Sequence, residues 1–392
     1  MEQEIQRDTK THSLLSPSSA HRWLNCPPSA RMCEQFPSET SIYAEEGTTA
    51  HALGELKLLN HYGMIKNEEY QKRLEVVRQN SFYQQNPDEM EQCTDFYLTV
   101  VRSLQNDQNK NPLFLQVEEE VNFNEYVPDG HGTADCFFVE GTTLNIIDYK
   151  HGKGVLVEAT YNPQLMLYAL GIYLEYNWLF EFKNIKMTIC QPRLDNVNSF
   201  QVTLNDLLKF GEEVKRVAPL AWEGKGNLSA GKWCKFCRAK AVCSAQAERV
   251  NLIKDKINND PNCLSYAELT DILNDSESMI DYLNSVRAYA LNQILEGVEI
   301  NGYKCVEGRS RRIFRDEVQA LKIASELIPE NELYEKKPIS LTSIEKKLGK
   351  KTFNEKFSTL VYSPKGSPTL AKEDDKRPSY IPNTPEDDFK NL

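Results

Sequence analysis

Three cysteines in one short stretch restrict the fold of this chain more than any other feature of its sequence. Cys234, Cys237 and Cys243 lie in the segment Trp-Cys-Lys-Phe-Cys-Arg-Ala-Lys-Ala-Val-Cys, and Cys26 lies far upstream, before two prolines that stiffen the backbone. Two thiolates separated by two residues can face one metal from a single turn, and the third can close the site from the start of the next helix. With Cys26 as the fourth ligand, one metal centre would tie the N-terminus to position 240, and the residues between would fold as one unit.

The other cysteines fit a chain that keeps its thiols free. The polar N-terminus lacks the apolar core of a secretion signal, so ten cysteines indicate metal ligands and free thiols instead of a disulfide framework. Six are expected to be buried small apolar side chains: Cys33, Cys93, Cys136, Cys190, Cys263 and Cys305. Among these, Cys33 could replace Cys26 as the fourth ligand.

Charge limits how the chain could bind nucleic acid. A formal net charge of −11 excludes general attraction of DNA to the whole surface, so binding would need metal ions or local basic patches. The first patch is Arg309, Arg311, Arg312 and Arg315, and the second is Lys346, Lys347, Lys350 and Lys351. Each could be a solvated face that balances nearby acids, but Arg binds phosphate better than Lys, which favours the first patch.

Hydropathy gives no sign of a membrane protein. No stretch approaches the roughly 18 apolar residues of a transmembrane helix. We therefore expect a soluble protein of the cytoplasm with no membrane partner.

Periodicity divides the first 250 residues into helices, strands and helices again. Helices are predicted around 16–23, 44–62, 67–85, 88–107, 162–178 and 205–222. Strands are predicted at 114–123, 132–140, 143–149, 185–191 and 200–204. Two residues, Gly141 and Thr142, join the second and third strands, which is a hairpin-length connection. The order of the elements predicts an α+β fold whose core is wrapped by helices.

The predicted strands carry acidic residues next to a lysine. Asp148 ends the apolar run Leu-Asn-Ile-Ile, Lys150 follows two residues later on the same face, and the hairpin can bring Asp135 beside them. Two carboxylates and a carbonyl suit Mg²⁺ or Mn²⁺, and an adjacent ammonium can orient a water and offset charge as a phosphodiester is attacked. An Asp-x-Lys triplet often marks only an exposed strand end. Here the strand is apolar, where an unpaired carboxylate is costly, and this favours a functional site.

Two predicted helices add polar residues. His51 has Glu55 one turn later on the same face, and Gln164 and Tyr168 form an i, i+4 pair on an otherwise apolar helix. Taken singly, a histidine of this kind is usually a surface or packed imidazole, and such a polar pair is usually a capped or partly exposed face.

Together, these motifs follow a known order. The succession Gly-x-x-x-His, Gly-x-x-Asp, Asp-x-Lys and Gln-x-x-x-Tyr, with one cysteine upstream and three downstream, closely resembles RecB-like nucleases of the PD-(D/E)XK superfamily. The resemblance is to the iron–sulfur branch, which includes AddB-type helicase-nucleases and CRISPR adaptation nucleases, and it covers about residues 12–245. It implies a restriction-endonuclease-like αβββαβ core wrapped by helices, with an iron–sulfur staple and a C-terminal appendage.

The resemblance also implies roles for individual residues. The ligands of Mg²⁺ or Mn²⁺ would be His51, Asp135, Asp148 and the carbonyl of Tyr149. The ligands of a [4Fe–4S] cluster would be Cys26, Cys234, Cys237 and Cys243. Lys150 would act on the attacking water, and Gln164 and Tyr168 would shape the site beside the DNA. Zinc is the alternative to the cluster because spacing alone does not separate the two. Glu55 is not a firm family position and is expected behind the metal ligands.

The C-terminal region resembles a second family. The segments Gly302-Tyr303-Lys304, Glu307-Gly308-Arg309-Ser310, Gly366-Ser367-Pro368-Thr369-Leu370 and Asp375-Lys376-Arg377-Pro378 are similar to part of an uncharacterised phage and prophage protein family. This resemblance implies viral replication or recombination in the cytoplasm of a bacterial host. DNA would be the main partner, with a phage single-strand-binding or annealing protein as a second one.

The sequence as a whole predicts four parts. They are a flexible N-terminus (1–15), a nuclease domain with its metal-cluster staple (16–250), an α/β appendage that could contact DNA (264–362) and an extended or disordered tail (363–392). The predicted function is a Mg²⁺- or Mn²⁺-dependent DNA nuclease, an exonuclease of phage recombination or replication without an ATP-binding motif. Three alternatives remain open: an endonuclease of the same fold, a non-catalytic DNA-binding adaptor that keeps fold and cluster, and a zinc-stapled protein unrelated to DNA.

Overall fold

The computed structural model describes residues 13–37, 41–107, 110–257, 265–306, 345 and 348–357. The chain divides into two units, residues 1–306 and 307–392. The helices of the first unit are α1 (Ala20–Asn25), α2 (Ser29–Glu34), α3 (Ile42–His61), α4 (Asn67–Gln79), α5 (Ser81–Gln85), α6 (Pro87–Ser103), α7 (Pro163–Tyr176), α8 (Leu204–Glu223), α9 (Ser244–Ile257) and α10 (Tyr266–Leu295). Its strands are β1 (Leu115–Asn122), β2 (His131–Glu140), β3 (Thr143–Tyr149), β4 (Asn184–Gln191) and β5 (Asn196–Thr203). In the second unit, α11 (Lys350–Phe357) is the described helix.

The five strands form one sheet in the order β1-β2-β3-β4-β5. Only β3 and β4 are parallel, and the chain between them contains α7; the other neighbours pair antiparallel. β2 and β3 form the predicted hairpin, and its turn contains Gly141 with a φ of +59°, a conformation that costs glycine little. The predicted α+β class is therefore confirmed, with a mostly antiparallel sheet.

Helices cover both faces of the sheet. On one face, the N-terminal segment, α7 and α8 enclose a core that includes Trp23, Phe137 and Leu170. On the other face, α3, α4 and α6 enclose a second core that includes Leu53 and Met90. These side chains are at most 2% exposed, and burying each one fully stabilises the fold by roughly 1.5–3 kcal/mol. Two independent apolar layers thus fix both faces of the sheet.

Several element boundaries differ from the sequence prediction, and two of the differences have a clear physical reason. The helix expected over 67–85 is two helices, because Asn80 has an extended backbone (φ −67°, ψ 136°) and its side chain caps Phe82. The strand expected at 200–204 begins earlier, at Asn196. The added residues include polar Asn196, Asn198 and Ser199 on the edge strand β5, so their sequence lacks the apolar signal of a strand.

The strand β1 changes faces along its length. Val117 packs against the core beneath α3, and Val121 lies in the core beneath α7, although residues four apart in a regular strand share a face. Between them, Glu118 has a φ of +52°, which is uncommon for a residue other than glycine. Strained backbone of this kind clusters at functional sites, so Glu118 marks a candidate site.

Most of the predicted buried cysteines are in place. Cys33, Cys93, Cys136 and Cys190 are buried. Cys305 is exposed, so the prediction is wrong there: it follows α10 in a segment whose neighbours Tyr303 and Val306 are also exposed. Cys263, the four arginines of the first basic patch, and Lys346 and Lys347 lie outside the described residues. Among the helices that the structure describes, none is both long enough and apolar enough to cross a membrane.

Candidate active site

Three potential metal ligands meet where β1 changes faces. His51 on α3, Glu118 on β1 and Asp135 on β2 each offer an atom within 4.8 Å of the others. The Nδ1 atom of His51 lies 3.5 Å from Oδ1 of Asp135 and 3.8 Å from Oε1 of Glu118. Sequence analysis identified His51 and Asp135 but missed Glu118. It is one of three consecutive glutamates, and nothing in that run reveals which one the unusual backbone turns toward His51.

A second group lies at the end of β3. The ammonium of Lys150 lies 3.0 Å from Oδ2 of Asp148, which is 2% exposed, and donates a hydrogen bond to Oε1 of Gln164 at 3.2 Å. The amide nitrogen of Gln164 donates to Oδ1 of Asp148 and to the hydroxyl of Tyr168, at 3.1 Å each. Within the described residues, Oδ2 of Asp148 accepts no well-formed hydrogen bond. That atom is buried, and the ammonium of Lys150 is the charge that faces it.

Local sequence explains how Gln164 reaches this group. Asn162 caps α7 by accepting hydrogen bonds from the backbone of Gln164 at 3.0 Å and of Leu165 at 3.4 Å, and Pro163 occupies the first helical position. Since Tyr168 lies one turn later, both polar side chains leave α7 on the same face. The otherwise apolar helix thereby brings an amide and a phenol to Asp148.

The backbone of Tyr149 joins the two groups. Its N–H donates to Oδ2 of Asp135 at 2.7 Å, and it stands between Asp148 and Lys150 in the chain. Its buried ring contacts the ring of His51 edge-on, with centroids 5.2 Å apart. Of the predicted metal ligands, His51 and Asp135 therefore belong to the close group, whereas Asp148 lies beyond it, beside Lys150. Glu55 pairs with Arg73 of α4 at 2.7 Å, and its charge also acts on Glu118, so it lies next to the close group without belonging to it.

A buried polar chain supports Tyr149 from behind. Its hydroxyl lies 2.8 Å from Nδ1 of His151, whose Nε2 lies 3.7 Å from Glu46. Glu46 in turn pairs with Arg193, which also binds Glu89. Burial lowers the pKa of His151 and the charge of Arg193 lowers it further, so this imidazole stays neutral near pH 7. This series of hydrogen bonds and ion pairs holds the end of β3 against α3 and α6.

The charges at the site depend on each other. Desolvation opposes the imidazolium of His51, but Asp135 and Glu118 outweigh it and raise its pKa to about 10. Desolvation raises the pKa of Asp148, partly offset by Lys150, and likewise raises that of Glu118. Desolvation also opposes the ammonium of Lys150, yet Asp148 and Asp135 outweigh it and raise its pKa. The buried carboxylates of the site therefore need positive charge on both sides. Lys150 supplies it on one side, and without a metal the imidazolium of His51 supplies it on the other.

The raised pKa of His51 predicts how the stability of the metal-free protein depends on pH. The pKa is about 10 in the folded state and about 6.5 in an unfolded chain, so the stabilisation is complete below about pH 6.5 and is lost as pH rises toward 10. Between pH 7 and 10, in chelator, we expect the melting temperature of the wild type to fall more steeply than that of His51→Gln. His61→Gln is the control, because burial lowers the pKa of His61. Parallel slopes for wild type and His51→Gln would contradict the assigned charge state.

The four cysteines singled out in the sequence line one cavity. Cys26 enters from the loop after α1, and the others follow α8: Cys234, Cys237 and Cys243. Burial raises the pKa of the Cys26 thiol, and the nearby thiols of Cys234 and Cys243 raise it further. Several thiolates could therefore share this cavity only with a compensating cation. The Sγ atom of Cys33 lies 3.7 Å from that of Cys237, so a fifth thiol stands beside the group.

Comparison with known proteins identifies a family for this chain but assigns it no activity. A family model described as "Protein of unknown function (DUF2800)" matches residues 12–378. The chain is also similar to a solved structure described as "Crystal structure of SSO0001", with 17% identity over 56% of this chain and 95% of that chain and a TM-score of 0.23.

Proposed function

This chain belongs to the DUF2800 family, and we propose that it is a divalent-metal-dependent deoxyribonuclease of the RecB-like PD-(D/E)XK type. One observation carries the proposal: the backbone of Tyr149 joins a His–Glu–Asp group to a buried Asp–Lys–Gln group at the ends of neighbouring strands. The succession α3, β1, β2, β3, α7 and β4 supports the αβββαβ core that such nucleases share.

The donor set fits a hard cation. Two carboxylates and an imidazole converge at His51, Glu118 and Asp135, and Asp148 stays a predicted further ligand beside Lys150. A bound Mg²⁺ or Mn²⁺ would supply Lewis-acid stabilisation of the charge on the attacked phosphate. The carbonyl of Tyr149 stays a predicted additional ligand.

The side chains of the second group, at the end of β3, would orient the attacking water and stabilise charge on the phosphate. The raised pKa of Lys150 keeps its ammonium charged at neutral pH, where it can orient a water for attack and offset negative charge on the phosphate. Gln164 holds both Lys150 and Asp148 by hydrogen bonds, which keeps the ammonium at the carboxylate. Burial raises the pKa of Tyr168 far above neutral, so its hydroxyl stays protonated and can donate to a phosphate oxygen.

We favour an exonuclease that makes or trims single strands for phage recombination, with an annealing or single-strand-binding protein as partner. The test is incubation of pure protein with end-labelled linear DNA and with circular DNA, in Mg²⁺ or Mn²⁺ and in chelator. Metal-dependent degradation of linear DNA alone is expected. Cleavage of circles would point to an endonuclease, and binding without cleavage of any substrate would favour the adaptor.

We further propose that the cysteine cavity holds a [4Fe–4S] cluster. Cys26, Cys234, Cys237 and Cys243 supply four thiolates around one cavity, as such a cluster requires. A single zinc ion would hold its sulfurs roughly 3.8 Å apart, given Zn–S bonds of about 2.3 Å. The resemblance to iron–sulfur nucleases favours the cluster, although the 3.7 Å between the sulfurs of Cys33 and Cys237 would also suit a zinc ion.

The fourth ligand can be identified with two single substitutions. Cys26 lines the cavity, whereas Cys33 touches Cys237 from outside it. In anaerobic preparations, we expect Cys33→Ser to keep about four irons per chain and the absorbance near 400 nm, and Cys26→Ser to lose most of both. The reverse result would assign Cys33 as the ligand.

A further inference from the structure

The loop that carries the three cysteines is strongly basic in an acidic protein. Residues 224–243, here called the cysteine loop, contain five basic side chains and no acidic one, although the chain has a net charge of −11. The basic residues are Lys225, Lys232, Lys235, Arg238 and Lys240. Only Lys240 lines the cavity, and its ammonium pairs with Asp281 of α10 at 2.6 Å. Balancing the charge of a cluster therefore does not account for the others.

Three residues close together in the cysteine loop expose basic or aromatic side chains. Lys232 and Lys235 are exposed, and neither has an acidic partner among the residues that the structure describes. Phe236 is 72% exposed, and the ammonium of Lys235 lies 5.9 Å from the centre of its ring. An exposed phenyl ring beside the ammonium of Lys235 suits a ligand that carries both phosphates and flat bases.

The cysteine loop is held in place by its neighbours. A short 3-10 helix, Lys232–Cys234, fixes the backbone, and the indole of Trp233 donates to the carbonyl of Ser229 at 2.9 Å. The ring of Trp233 also meets His21 of α1 edge-on, at 6.1 Å. Because the loop is already ordered, binding a ligand there would lose little conformational entropy.

The same N-terminal segment connects the loop to the candidate active site. Pro17 lies just before α1 and packs, with the ring of Tyr168, against Gly132 of β2. A Cβ atom at Gly132 would come within 2.9 Å of that ring and 2.8 Å of Pro17, so these groups are tightly packed. His21, four residues after Pro17, contacts the cysteine loop through Trp233. Residues 17–21 therefore contact both Tyr168 of the candidate active site and Trp233 of the cysteine loop.

We propose that the cysteine loop binds single-stranded DNA, with Lys232 and Lys235 on phosphates and Phe236 stacked on a base. This inference rests on the proposed nuclease function and adds a surface that holds the strand outside the reacting site. A single strand is favoured over a duplex because its unpaired bases leave their faces free to stack on an aromatic ring.

The test is fluorescence anisotropy of a labelled oligothymidylate, in chelator to prevent cleavage, across a series of salt concentrations. Lys232→Gln/Lys235→Gln should lower the slope of log K against log salt by about 1.4, since each phosphate contact to a single strand contributes about 0.7. Phe236→Ala should weaken binding roughly tenfold at every salt concentration with the slope unchanged. Lys66→Gln/Lys72→Gln, two exposed lysines at α4, is the matched control and should bind like the wild type. Iron content is measured for each variant to show that the loop is intact.

The outcomes separate this inference from the function on which it rests. If the wild type binds neither single-stranded nor duplex DNA, the proposed nuclease function fails. If the wild type binds and both loop variants bind equally well with the same slope, the cysteine loop is not a DNA surface. Losses for duplex DNA but none for the single strand would likewise overturn the assignment.

Discussion

Lys150→Gln is expected to abolish cleavage of DNA while the protein remains folded and still binds DNA. Glutamine keeps a hydrogen-bond donor beside Asp148 but removes the ammonium that lies 3.0 Å from Oδ2 of that carboxylate. Since this charge serves the transition state more than the bound substrate, we expect the cleavage rate to fall by about 1000-fold or more, with little change in the Kd for DNA. Single-turnover cleavage with Mg²⁺, together with anisotropy binding, separates the two effects.

Two further variants control this experiment. Lys153→Gln removes an exposed lysine three residues beyond Lys150 and should cleave at the wild-type rate. Asp148→Asn should be as inactive as Lys150→Gln, and the double variant should lose no more than either single one, because the two side chains act as a unit. Near wild-type activity of Lys150→Gln in Mg²⁺ would show that the catalytic assignment is wrong.

Cys237→Ser is expected to have the largest effect on stability. The proposed cluster joins Cys26 to Cys234 and closes a loop of roughly 200 residues, and losing such a cross-link costs on the order of 5 kcal/mol in the chain-entropy picture. In a domain of this size that corresponds to a fall in melting temperature of roughly 10–20 °C. Solubility should decline with it, and activity should fall as a consequence of unfolding.

Cys305→Ser provides the control for this prediction. Cys305 is exposed and outside the cavity, so the substitution should leave iron content, absorbance and melting temperature unchanged. Equal melting temperatures for Cys237→Ser and the wild type would refute a stabilising metal centre. A colourless wild type with one tightly held zinc would replace the cluster with zinc and leave the nuclease proposal standing.

Elements with a strong local signal could be predicted from the sequence. The β2–β3 hairpin follows from two apolar runs and a two-residue connection, and α7 follows from the Asn162-Pro163 start and its apolar periodicity. Single-residue events could not be predicted as easily. The extended backbone at Asn80 divides one helical pattern into two helices, and the polar half of β5 becomes a strand only because β4 pairs with it. Tertiary pairing decides such cases, and local propensity does not.

The candidate site, too, could be predicted from the sequence only in part. Strand alternation predicts that Asp148 and Lys150 share a side, and the structure places them in contact. Glu118 enters the site through a left-handed backbone that no sequence pattern encodes. The chain of Tyr149, His151 and Glu46 likewise depends on how β3 packs against α3, and that packing is a property of the assembled layers.

Anomalous diffraction from crystals soaked in Mn²⁺ tests the central claim most directly. The account predicts a manganese peak within coordination distance of His51 Nδ1 and of carboxylate oxygens of Glu118 and Asp135, on the side facing Asp148. Crystals of Asp135→Asn soaked in the same way should show a much weaker peak, because a neutral amide is a poorer ligand than a carboxylate. A wild-type crystal with manganese bound elsewhere and none at these three residues would contradict the account.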